Sequence, residues 1–235
     1  MKPPIAETLD AAIPVSFTEG ISWPALPSRQ ATNHLALAQQ LDESQWWPPE
    51  MLRRHQTDQL AELLAFCTQT VPFYRDRSAA AGFRIDGRFT PEIWQAMPVL
   101  TVAEVRAAGE LLLSHAVPTE HGPVATRRVI AADGGAVEVT VSAMAEMIGG
   151  AVTLREAQWD GRPLDGKLAV IAAPDDAWQP TSDGPDWGPP FADAYFTGPR
   201  VFLDAGARVE AQVAWLRENE SDLLATTPSN LAAIV

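Results

Sequence analysis

The segment Val129–Val141, VIAADGGAVEVTV, sets a glycine pair, Gly134 and Gly135, directly after a carboxylate, Asp133, between two strand-like runs. Two chemistries suit such a turn. Backbone N–H groups in a glycine-rich loop can cradle phosphate oxygens. Alternatively, Asp-Gly can close a β-hairpin, because both residues tolerate positive φ. The neighbours favour the hairpin. Val129, Ile130, Ala131 and Ala132 bring no side-chain donor to an anion. Asp133 would repel a phosphate oxygen ~4 Å away by several kcal/mol at an effective dielectric near 20.

Other chemistry-bearing residues are scattered. Asp133, Glu138 and the pair Asp175 and Asp176 are candidates for acid–base work, but carboxylates in such runs are ordinarily solvated faces. His34, His55, His115 and His121 stand far apart, with no cysteine at ligand spacing, which argues against zinc. No Ser/His/Asp or Cys/His arrangement occurs at an informative spacing. No catalytic or metal-ligating residue is assigned.

Composition narrows the classes further. At 235 residues and 46% hydrophobic content, the chain can bury a real core. Its net charge of -13, with 17 Lys and Arg, argues against nucleic acid and against an anionic membrane surface. The single Cys67 excludes an intrachain disulfide, and the opening MKPPIAETLDAAIPVSF lacks the apolar core of a signal peptide, so a cytoplasmic protein is expected. No run approaches the ~20 apolar residues needed to span a bilayer.

The elements that must position any site read as follows. Residues 1–29, with Pro3, Pro4, Pro14, Pro24 and Pro27, form an extended arm laid over the body. A helical region covers 30–115, including a helix of about five turns with Leu52, Gln56, Leu60, Leu63, Leu64 and Cys67 near one face. Thr90 before Pro91 starts a second helix, and Thr101 with Glu104 forms a capping box for a third.

An α/β region covers 124–235. ATRRVIA and VEVTVS read as strands, the second alternating Val137, Val139 and Val141 with polar residues. AMAEMIGGAVTLREAQW reads as a helix interrupted at Gly149 and Gly150. KLAVIAA, apolar on both faces, predicts a strand in a parallel, helix-covered sheet. RVFLDAG is a strand, RVEAQVAWLREN a helix, DLLATT a second buried strand, and PSNLAAIV a helix opened by Ser229. The loop 174–199 carries Trp178, Trp187, Phe191, Tyr195 and Phe196, so it packs on the body or on a ligand, with the body preferred.

Four stretches in this order resemble the N-terminal half of the phenylacetate-CoA ligase-like branch of the adenylate-forming, acyl-CoA synthetase superfamily: Gln59–Arg75, Met97–Arg106, the hairpin region, and Val213–Leu231. Within them lie V-P-F-Y-R, P-V-L-T and P-S-N-L. The resemblance spans roughly residues 45–235. It implies an α/β fold: a helical N-terminal region, then a mixed, mainly buried sheet with flanking helices. It also implies activation of a carboxylic acid with ATP and Mg, and acyl transfer to coenzyme A.

The family's nucleotide loop, approximately T-S-G-T-T-G-x-P, falls on Val129–Ala136, so Asp133, Gly134 and Gly135 are the residues of a former cofactor-binding loop. Only Gly134 matches one of its glycines. The family's ribose, Mg and lysine contacts lie beyond P-S-N-L, and this chain ends five residues after Asn230.

The resulting expectation is a truncated, degenerate relative without adenylation activity of its own. No cofactor is expected, and ATP with Mg enters only under the alternative of a ligase completed by another chain or by a missing C-terminal half. Such a protein would bind a partner protein, a second copy, or a small carboxylic acid. The apolar end, LAAIV, is the expected surface for a partner or for self-association.

Overall fold

The computed structural model describes residues 14–85, 87, 89–130, 135–174 and 180–235. The N-terminal part of the chain runs through α1 (Arg29–Ser44), α2 (Pro49–Thr70), α3 (Pro72–Ala80), α4 (Pro91–Ala96) and α5 (Val102–Ala108), then β1 (Val124–Ile130) and β2 (Ala136–Ser142). The remainder is α6 (Ala143–Asp160), β3 (Leu168–Ala172), α7 (Phe191–Ala194), β4 (Arg200–Asp204), α8 (Val209–Asn219), β5 (Leu223–Thr226) and α9 (Pro228–Ile234). The fold is α/β. It divides into two compact units that do not follow chain order: 43–143 is one, and 1–42 with 144–235 the other.

In the 43–143 unit, Pro49 occupies the first turn of α2, where a missing N–H costs nothing. Leu64 and Thr70 are buried, and Leu52, Leu60 and Cys67 half-buried. Gln56 and Leu63 face solvent, Leu63 at 52% exposure, so the apolar stripe is narrower than the sequence pattern predicts. Pro72 ends the helix. It disfavours helical geometry at the residue before it, and Val71 is extended at φ -116° and ψ 108°.

The capping box of α5 forms in full. Glu104 N donates to Thr101 Oγ1 at 3.2 Å, and Thr101 N donates to Glu104 Oε2 at 2.8 Å. β1 and β2 pair antiparallel from Val124↔Ser142 to Ile130↔Ala136, and Val137, Val139 and Val141 are half-buried while Ala136, Glu138 and Thr140 are exposed.

The other unit is built on a three-stranded parallel sheet in the order β4-β3-β5. Central β3 is the strand apolar on both faces, and Ala169, Val170 and Ile171 are fully buried. Removing Val170 and Ile171 from water contributes about 1.5–3 kcal/mol each. Among the described residues there is thus no single mixed sheet, but an antiparallel pair in one unit and a parallel sheet in the other. The expectation of two fully buried strands is corrected as well: β5 is an edge strand, and Leu224 is exposed.

Two further readings change. α6 runs uninterrupted through Gly149 and Gly150, and Gly150 makes room for a side chain of α1. α9 is capped by Thr227, whose side chain accepts from Asn230 N, with Pro228 in the first turn, so Ser229 lies inside the helix. No described helix is long and apolar enough to cross a membrane.

Candidate functional site

In open parallel sheets, ligands bind outside the carboxyl ends of the strands where the chain's crossovers diverge. Here the chain leaves β3 for β4 on one side and returns to β5 on the other, so that point lies between β3 and β5. The residues there are polar. Gln212, buried in α8, donates from Nε2 to the carbonyls of Ala205 at 3.2 Å and Ala207 at 2.8 Å. Asn230 Nδ2 donates to Gln212 Oε1 and to Thr226 Oγ1, both at 2.9 Å. Thr226 Oγ1 donates in turn to Ile171 O at 2.9 Å.

This chain of bonds ties β3, the β4–α8 loop, β5 and α9 together. It also uses both N–H groups of each carboxamide and the hydroxyl hydrogen of Thr226. The asparagine of P-S-N-L therefore spends its donors on the protein. Asp204, at the end of β4, accepts from Gly206 N at 2.7 Å and closes a local turn.

Farther round the same unit, the long loop is organised by one arginine. Arg200, buried at the start of β4, donates from Nε to Ser182 O at 2.8 Å and from Nη1 to Asp186 O at 3.0 Å. The guanidinium passes so close to the backbone that a Cβ at Gly184 would lie 2.7 Å from Nη2, and one at Gly188 2.8 Å from Nη1. Trp187 is buried and donates from Nε1 to Gly166 O at 2.9 Å. Packing on the body, the preferred reading for this loop, holds for Trp187 and Tyr195. Phe196 is the exception at 76% exposure, and Trp178 lies outside the described residues.

His34 on α1 is buried against α6, where a Cβ at Gly150 would lie 2.8 Å from its Nε2. Its Nδ1 is buried without a hydrogen-bond partner. Burial pushes the imidazole below its ordinary value, and the charge of Asp193 only partly opposes this. It is a packed, neutral histidine. Cys67 is likewise held as the thiol, since burial pushes it up.

Of the sequence-predicted loop residues, Asp133 and Gly134 lie outside the described residues, and Gly135 directly precedes β2. Asp175 and Asp176 also lie outside them. Glu138 is exposed on β2, opposite Arg128 in the hairpin register. Among the described residues, no group of three or more His, Cys, Asp or Glu could hold a metal ion.

The surface that sequence reasoning passed over is in the arm. Val15 N donates to Ala194 O at 2.9 Å, joining this stretch of the chain to α7. It then closes on itself: Phe17 N donates to Leu26 O at 2.8 Å, and Leu26 N to Ser16 Oγ at 3.2 Å. The resulting compact loop carries Phe17 and Trp23 at 80% and 76% exposure, with Phe196 alongside Trp23 in a shared groove. The available signal was the run of apolar residues, Phe17, Ile21, Trp23 and Leu26, in a segment that has no helix or strand to bury them.

No protein-family model matches the sequence, and no curated protein is significantly similar to it.

Proposed function

We propose that this protein acts by binding a partner protein rather than by catalysis, as a degenerate relative of the phenylacetate-CoA ligase-like adenylate-forming enzymes. The observation that carries the binding reading is the closed loop between Ser16 and Leu26, which holds Phe17 and Trp23 in solvent, Trp23 sharing a groove with exposed Phe196. Full burial of a large apolar side chain yields about 1.5–3 kcal/mol, and buried aromatics dominate protein interfaces. A backbone-closed loop presents them with little further ordering cost.

The kinship rests on the four ordered sequence stretches. Loss of nucleotide chemistry is supported by the sequence of the former loop, where Val129, Ile130, Ala131 and Ala132 offer no side-chain donor and Asp133 would repel a phosphate.

The test places a photo-crosslinking residue at Phe17 in the source cell, with Glu218, exposed on α8, as the control position. A discrete adduct formed from position 17 and not from 218 is expected. The same products from both positions would overturn the reading. Calorimetry with ATP and Mg tests the other half: sub-millimolar affinity would restore the ligase reading.

A further inference from the structure

The groove beside this loop has a volume of about 700 Å³, and Ile21, Trp23 and Phe196 supply much of its apolar lining. The groove is open to solvent, and its size admits several side chains rather than a single ion. Among the described residues of the lining, Glu19 is the only charged one. The loop sequence from Pro14 to Ser28 contains no Lys or Arg, and the whole chain carries -13.

An apolar groove with one carboxylate, on a strongly acidic protein, selects its occupant by charge. A small carboxylic acid would meet Glu19 and the chain's net negative charge with like charge. A cation would be drawn to both, and the faces of Trp23 and Phe196 are the side-chain surfaces that attract cations best.

Resting on the reading of this loop as the partner surface, we propose that the groove takes a basic peptide segment in which a Lys or Arg adjoins an aliphatic or aromatic side chain. The cation sits against Trp23 or Phe196 with Glu19 as its counter-charge, and the apolar neighbour fills the remainder. Glu19 is exposed, so its pairing changes affinity only severalfold. The charge acts mainly on selectivity, and the apolar contacts hold the segment.

The test follows the Trp23 indole N–H signal of the full chain, identified by its loss in Trp23→Phe. The probes are capped Lys-Phe-Lys and Glu-Phe-Glu peptides. Saturable shifts with Lys-Phe-Lys, none with Glu-Phe-Glu at equal concentration, and at least threefold weaker binding in Glu19→Gln are expected. An unchanged amide spectrum shows that the variant is folded. Equal responses to both peptides, no response to either, or no effect of Glu19→Gln would overturn the proposal. A specific adduct from position 17 together with any of these failures leaves partner binding standing and removes only the basic segment. Absence of a specific adduct removes the binding reading itself.

Discussion

Arg77 Nη1 donates to Glu104 Oε1 at 2.9 Å, while Nη2 of the same guanidinium donates to the carbonyls of Pro98 at 3.0 Å and Val99 at 2.8 Å. Its other face lies 5.1 Å from the ring centroid of Phe73. One arginine thus joins the helix that begins in V-P-F-Y-R to the P-V-L-T element and its capping box. Arg77→Ala should lower stability by about 2–3 kcal/mol through lost charge-assisted hydrogen bonds. Arg77→Lys should recover only part of that, since an ammonium cannot reproduce the fork. Urea denaturation of the three proteins measures both.

Glu104 gives this clamp a pH dependence. Its hydrogen bonds from Thr101 N, Arg77 and the Thr101 hydroxyl hold the carboxyl down at about 2, from an ordinary 4.5. The folded state therefore binds a proton more weakly than the unfolded chain. The contribution is complete above pH 4.5 and is lost as pH falls toward 2. In Glu104→Gln, stability should vary less with pH across that window, read as the unfolding midpoint at successive pH values.

The neighbouring glycines of α6 should respond with opposite sign. Nothing lies within 4 Å of a Cβ at Gly149, so Gly149→Ala gains helix propensity and should stabilise by up to about 1 kcal/mol. At Gly150 the added methyl would meet His34 at 2.8 Å and Pro190 Cβ at 3.2 Å. Gly150→Ala should cost about 1–3 kcal/mol by overpacking, and thermal unfolding separates the two.

Acid should also act through His34. Its folded value lies below the ordinary 6.5, so the stability it allows is fully present above pH 6.5 and declines as pH falls through the lowered value. Asp193 is the charged group that opposes this shift; the groups met at Gly150 and Pro190 are uncharged. His34→Gln should flatten the unfolding free energy between pH 7 and 5, measured against the parent chain.

Gln212 is the keystone of the sheet's carboxyl edge. Gln212→Ala leaves two carbonyls and one Asn230 N–H without their partner and should cost about 2–4 kcal/mol. Gln212→Glu should cost more, because it sets a buried carboxylate against those two carbonyl oxygens. Hydrogen exchange should show the loss first in β5 and α9.

What the sequence made legible was local. Thr101 and Glu104 stand three residues apart and announce their own capping box, and the double apolar character of Ala169–Ile171 marks a central strand. The alternation of Val137, Val139 and Val141 holds as well. Contacts that cross the chain left no such trace. Arg77 reaches over 27 residues to Glu104, and Gly150 is a glycine because His34, on another helix, occupies the space a side chain would need. At Gly150 the local reading pointed the wrong way, since a helix-breaking residue marks close packing there. The arm's closed loop was hidden for a related reason: backbone bonds from Phe17 and Leu26, and not periodicity, shape it.

The discontinuous unit has a consequence for how the chain is made. Ala31 on α1 joins the core formed by Leu154, Ala194 and Tyr195, but the whole 43–143 unit is synthesised between them. At ~5–20 residues per second, the ribosome needs roughly 5–20 s to make those ~100 residues. The inserted unit, being continuous in sequence, can fold during that interval, while α1 has emerged without the helix that will cover Ala31 and His34. During translation, then, α1 leaves the exit tunnel well before the residues that pack against it exist, and its apolar face is a natural substrate for chaperones.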